Sequence, residues 1–187
     1  MSTLQVENLI GPTSGSNANK VIIPSGQTLD ASNGFVAPSG HVIQVVGGEP
    51  QSVGGTITTS SSYVNTGVSR TINLKHSNSK VRISLQGGHA YVNAFATGMI
   101  ETICRTSSTT YSTANDLVSG ATFGLQQVYN STTLNTAPHS ICVIDATPEG
   151  TTATYRIFFR TRTSGRSVIW QEISTSYFTF MLEEIAQ

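Results

Sequence analysis

From His41 onward the chain is a succession of short runs in which β-branched and aromatic residues alternate with polar ones, each run closed by a polar turn, and no window carries a helical periodicity. Residues 80–86 show the pattern: Val81, Ile83 and Leu85 fall on one face and Arg82, Ser84 and Gln86 on the other, because successive side chains of a strand point to opposite sides. The alternation returns where Tyr155, Ile157 and Phe159 alternate with Arg156, Phe158, Arg160 and Arg162. One face of that strand enters a core, and the other is basic or meets a neighbour. Candidate strands are 41–46, 56–60, 69–75, 80–86, 90–95, 99–105, 122–129, 140–146, 153–162, 167–173 and 177–185. Strands without helices bury their apolar faces sheet against sheet. The predicted fold is therefore all-β, an antiparallel β-sandwich of jelly-roll type over residues 41–187. The connection 47–55, GGEPQSVGG, reads as a flexible hinge; no Lys-Ser or Lys-Thr follows its glycines, so it is not a phosphate-binding loop.

Charge narrows the functional classes. Asp, Glu, Lys and Arg make up 11% of the chain, against about 25% in an ordinary soluble domain. Ten basic and ten acidic residues leave no net charge, so nothing draws the chain to a phosphate backbone or an anionic membrane. Neither nucleic-acid binding nor membrane insertion is expected: no apolar stretch approaches spanning length, and the opening MSTLQVENLIGP has no basic start and no continuous apolar run. Synthesis in a cytoplasm is the expectation. In that compartment Cys104 and Cys142 are expected to be separate, reduced core thiols, and Asn130-Ser131-Thr132 has no glycosylation route.

The first 40 residues are different. Turn signals recur at Gly11-Pro12, Ser14–Asn17, Pro24-Ser25-Gly26, Ser32-Asn33-Gly34 and Pro38-Ser39-Gly40, with apolar patches of two or three residues between them. The repeated Pro-Ser-Gly triplet suggests two rungs of a narrow shaft in which identical chains share an axial core, with Ile23, Leu29 and Phe35 pointing inward. The alternative is a disordered linker, which the Gly, Ser and Asn content also suits. Ahead of the rungs, Leu4, Val6, Leu9 and Ile10 have the spacing of a short docking strand or peptide.

Catalytic and metal-binding patterns are absent from the sequence. The histidines, at 41, 76, 89 and 139, have no partners at ligand spacing and read as surface or turn residues. Cys142 and His139 lie in one strand rather than on facing elements, and Glu183-Glu184 point to opposite faces as terminal solubilising charges. No enzyme activity, cofactor or metal is expected. Arg156, Arg160 and Arg162 share one strand face, with Arg166 in the following turn. They read either as an anion- or glycan-binding patch or as a solvated or intersubunit face. Tyr63, Tyr111 and Tyr129 lie in polar stretches that would suit weak glycan contact.

The opening MSTLQVENL, followed by KVIIPSGQTLDASNGF and PSGHVIQVV, resembles the N-terminal segment of virion fibre proteins from tailed phages of aquatic bacteria, cyanophages especially. The resemblance covers residues 1–46; beyond them it is one of general character, down to the ending FTFMLEEIAQ. It implies a homotrimeric virion appendage, attached to other phage tail, baseplate or capsid proteins through residues 1–40 and ending in a β-sandwich head over 41–187. The function expected on that basis is that of a short tail fibre whose head recognises a host-surface glycan, multiplying weak contacts by repetition. The alternatives are a capsid decoration or head-fibre protein, a carbohydrate-degrading spike, and a soluble lectin-like module.

Overall fold

The computed structural model of the chain describes residues 12–16, 18, 20–22, 25–26, 37–93, 95–131, 135–171 and 176–187. The chain divides into two compact units, Met1–Val36 and Ala37–Gln187. In the first, Gly15 and Gly26 take positive φ at turns, and Val21 and Ile22 stand half exposed. The predicted attachment residues Leu4, Val6, Leu9 and Ile10, and the predicted shaft residues Ile23, Leu29 and Phe35, lie outside the described residues.

The second unit is built from ten strands: β1 (Val42–Gly47), β2 (Thr56–Thr58), β3 (Val64–Asn73), β4 (Lys80–Val92), β5 (Thr97–Arg105), β6 (Gln126–Asn130), β7 (Asn135–Asp145), β8 (Thr152–Thr161), β9 (Val168–Trp170) and β10 (Phe178–Ile185). Among the described residues the one helical element is a 3-10 turn at Thr113–Asn115. Every strand pair is antiparallel. In the first sheet the long strand β4 has β7 along one side, while its other side is shared by β10 and then β9. Beyond these, β1 pairs with β10 and β2 with β9. The second sheet runs β3-β8-β5-β6. The fold is the antiparallel β-sandwich that the alternation predicts. The second Pro-Ser-Gly triplet is a turn of this unit: Gly40 N donates to Ala186 O at 2.8 Å and His41 N to Pro38 O at 3.2 Å.

The core lies between the two sheets. Val81, Ile83 and Leu85 of β4 and Phe180 and Leu182 of β10 pack into one buried cluster with Ala153, Tyr155, Ile157 and Phe159 of β8. Removing such side chains from water is the main stabilising term. Two expectations need correction. Residues 80–86 and 90–95 are not separate strands: β4 continues through a bulge at Gly87-Gly88, where φ is 82° and 64°. One extra residue there shifts the inward positions from 81, 83 and 85 to Ala90 and Val92. A Cβ on Gly88 would fall 2.3 Å from the side-chain oxygen Oε1 of Gln171, so the Gln171 side chain takes the space that a side chain at 88 would need. The segment 47–55 is no loose hinge either. Gln51 exchanges backbone hydrogen bonds with Phe178 at 2.7 and 2.9 Å, and Glu49 pairs with Arg70 at 3.1 Å.

Candidate functional site

Strand β8 sets the geometry of the outer face of the second sheet. Tyr155, Ile157 and Phe159 point into the core, so Arg156, Phe158 and Arg160 must point the other way. Phe158 is nevertheless fully buried, because the segment between β5 and β6 folds over it. That segment takes the lane beside β5 that β6 leaves empty: Leu117 N donates to Ile103 O at 3.1 Å, Leu125 N to Glu101 O at 2.7 Å, and Asp116 bridges to Cys104. Asp116 locks the fold-over. Its carboxylate accepts from Thr102 Oγ1 at 2.7 Å, Val118 N at 3.0 Å and Tyr111 OH at 2.8 Å. Tyr111 thereby rests edge-on against Phe158, with ring centroids 5.8 Å apart, and packs at 4.4 Å against Tyr63 with the rings tilted by 31°.

Two cation–aromatic groups result. In the first, the Arg160 guanidinium lies 5.0 Å from the Tyr63 ring centre while its Nη2 donates to Thr122 O at 2.7 Å. In the second, the Arg162 guanidinium lies 5.0 Å from Tyr129 and 5.8 Å from Phe123, contacts stabilising by about 0.5–1 kcal/mol each when exposed. The structure thus brings Tyr63, Tyr111, Tyr129, Arg160 and Arg162 onto one face. Arg156 shares that face but turns aside, its Nη2 reaching Ser107 O at 3.4 Å. Phe123 is the member that sequence reasoning missed. It is 51% exposed and Tyr129 is 45% exposed, so the second group offers open ring surface. The first is more closed: burial and then the hydrogen bond to Asp116 push the Tyr111 phenol far above its ordinary range, and burial raises Tyr63, partly offset by Arg160.

Away from this face, three ionisable residues expected at the surface, Glu183, Glu184 and His139, are buried. Glu184 is fully covered: it accepts from Ser79 Oγ at 2.6 Å, from Lys75 N and His76 N at 2.9 and 3.0 Å, and from Gln44 Nε2 at 2.5 Å. Glu183 pairs with Arg82 at 2.5 Å. Neither is a free solubilising charge. His139 is not a surface histidine; it lies buried between the sheets, stacked on Trp170, with Nδ1 2.9 Å from the buried Glu101 carboxylate. Glu101 also accepts from Trp170 Nε1 at 2.6 Å. Of the cysteines, Cys104 is buried as expected, but Cys142 is exposed, and both are free thiols. Among the described residues no three His, Cys, Asp or Glu side chains gather as a metal site, and no helix is long and apolar enough to cross a membrane.

No family model matches the chain, and no curated protein matches it. Among solved structures it is similar to a chain of the infectious bursal disease virus Gx strain, at 12% identity and a TM-score of 0.36, over 88% of this chain and 45% of that one. A chain of the Gt strain of the same virus is similar at 12% identity, a TM-score of 0.21, and 88% and 49% coverage. The chain therefore spans less than half the length of these viral chains.

Proposed function

We propose that this chain is a non-enzymatic structural component of a phage virion, a short trimeric tail fibre held by its first residues and presenting its sandwich to a glycan on the host surface. The observation that carries the reading is the outer face of the second sheet. Five of the six residues singled out for surface binding, Tyr63, Tyr111, Tyr129, Arg160 and Arg162, contact one another or a shared neighbour there, and Phe123 and Tyr129 keep open ring surface. Flat aromatic surface beside fixed hydrogen-bond donors suits a sugar, which has an apolar C–H face and a polar edge. One such face binds weakly; three per fibre raise the effective affinity by repetition. Half-exposed Val21 and Ile22 are apolar surface that a second and third copy would cover.

The test is an array of bacterial surface polysaccharides, neutral and acidic, probed with the purified full-length chain. The chain is expected to bind a subset of them, and a Phe123→Ala, Tyr129→Ala double variant to lose that binding while keeping its strand-rich circular dichroism. A blank array, or binding unchanged in the double variant, overturns the glycan reading. Light scattering is expected to give about three times the 19.8 kDa chain mass; a monomer at all concentrations overturns the trimer.

A further inference from the structure

We propose that the ligand of this face is an acidic saccharide, one whose ring carries a carboxylate, with Arg162 binding the carboxylate and Phe123 and Tyr129 forming the platform for the ring. The inference rests on the glycan reading and narrows it.

Among the described residues the positive charge on this face has no paired carboxylate. Arg70, Arg82 and Arg105 each pair with a carboxylate, at 3.1, 2.5 and 2.9 Å. Among the described residues Arg156, Arg160 and Arg162 pair with none. The carboxylate that lies in this face, Asp116, is buried with both oxygens occupied by Thr102, Val118 and Tyr111. The face is therefore cationic, in a chain that is neutral as a whole, and it disfavours a ligand that is itself cationic.

Arg160 and Arg162 differ in what their guanidinium groups hold. Arg160 is occupied in fixing the loop that carries Phe123, through its bond to Thr122 O. Arg162 is anchored through its backbone instead, where its N donates to Gly98 O at 2.8 Å, and its guanidinium rests near two rings. A guanidinium held near aromatic rings, which have no acceptor to occupy its N–H groups, keeps those donors for a partner, and they match both oxygens of a carboxylate. Gly98 makes the arrangement possible. It sits between Arg162 and its own ladder partner Tyr129, so no side chain separates the cation from the ring. A Cβ at 98 would lie 2.7 Å from Val128 O.

Calorimetric titration of the full-length chain with two hexasaccharides of equal length, an oligouronate with a carboxylate on every ring and the neutral cellohexaose, tests this. The oligouronate is expected to bind at least about tenfold more tightly, and to weaken as salt rises from about 0.02 M to about 0.5 M, since screening shortens the reach of the charge. Arg162→Gln should weaken it about tenfold or more, the loss of a charge-assisted pair, while keeping the strand-rich circular dichroism and lowering the thermal midpoint by only a few degrees, as the loss of its two ring contacts implies. Lys75→Gln, which removes an exposed charge elsewhere, should change nothing. Equal affinity for both hexasaccharides, or a polysaccharide array lit by neutral sugars alone, overturns the carboxylate inference and leaves the glycan reading standing. An array that is blank for every polysaccharide overturns both.

Discussion

Replacing Glu101 by leucine removes an acceptor from the middle of the sandwich, and the cost follows from what is left behind. Glu101 projects from β5 of one sheet toward β7 and β9 of the other, fully buried. It accepts from Trp170 Nε1 at 2.6 Å, and its two oxygens lie 2.9 and 3.1 Å from His139 Nδ1. Leucine keeps roughly the volume but strands two buried polar groups, at about 1–3 kcal/mol each. For the two groups together a loss of about 2–6 kcal/mol is expected, out of a total of about 5–15 kcal/mol for a domain. Glu101→Gln should cost less than half of that, because the amide oxygen still accepts from Trp170. Trp170 is the chain's single tryptophan, so urea unfolding followed by its fluorescence reads the site directly. If Glu101→Leu loses less than about 1 kcal/mol, or the glutamine variant is as damaged as the leucine one, the carboxylate does not tie the sheets together.

Three further outcomes are expected. In native protein a thiol reagent should modify Cys142 alone: the Cys104 thiol is buried, and burial followed by the nearby Asp116 pushes it up to about 12, so it should react only on unfolding; equal labelling of both would contradict the burial. Burial alone would raise the Glu184 carboxyl, but hydrogen bonds from Ser79, Lys75, Gln44 and His76 outweigh it and hold the group below its ordinary 4.5. The charged form is thus favoured by folding, its contribution is complete above that value, and it is lost as pH falls through the lower folded value, so Glu184→Gln should flatten the acid limb of a stability profile while lowering stability at neutral pH. Gly88→Val should destabilise by at least about 1–2 kcal/mol, since a β-branched residue would have to adopt positive φ and its Cβ would displace Gln171 from His89 N; a thermal midpoint within about 2 °C of the parent would refute that.

How much of this was legible in the sequence depends on how local the cause is. The sandwich was legible because alternation is a property of neighbours: Val81, Ile83 and Leu85 declare a face without reference to anything distant. The same rule put Arg156, Arg160 and Arg162 on one side of β8. It could not show that Tyr129 and Tyr63 would join them, since that depends on the pairing of β5 with β6 and of β3 with β8. Phe123 was less visible still, because its position is set by a loop that Asp116 pins to Thr102 and Tyr111. The bulge at Gly87-Gly88 broke the pattern where the local reading ended one strand and began another, although the hydrogen-bond ladder with β7 resumes after it.

Glu183 and Glu184 show where a correct local rule leads to a wrong conclusion. They do point to opposite sides of β10, yet both sides are occupied, one by Arg82 and the other by the turn at 75–79 with Gln44 beside it. A carboxylate near the end of a chain looks solvated until the strands around it are placed. The same holds for Glu101, Asp116 and Asp145, all buried and all supplied with donors. In a chain with so few charges, most of its described carboxylates are committed to internal structure, and those commitments account for Arg70, Arg82 and Arg105. Among the described residues the arginines of β8 and its exit turn are left with no carboxylate paired to them. A cation that costs desolvation wherever it is partly covered, placed beside open aromatic rings and paired with no described carboxylate, is where an anionic partner from outside the chain is to be sought.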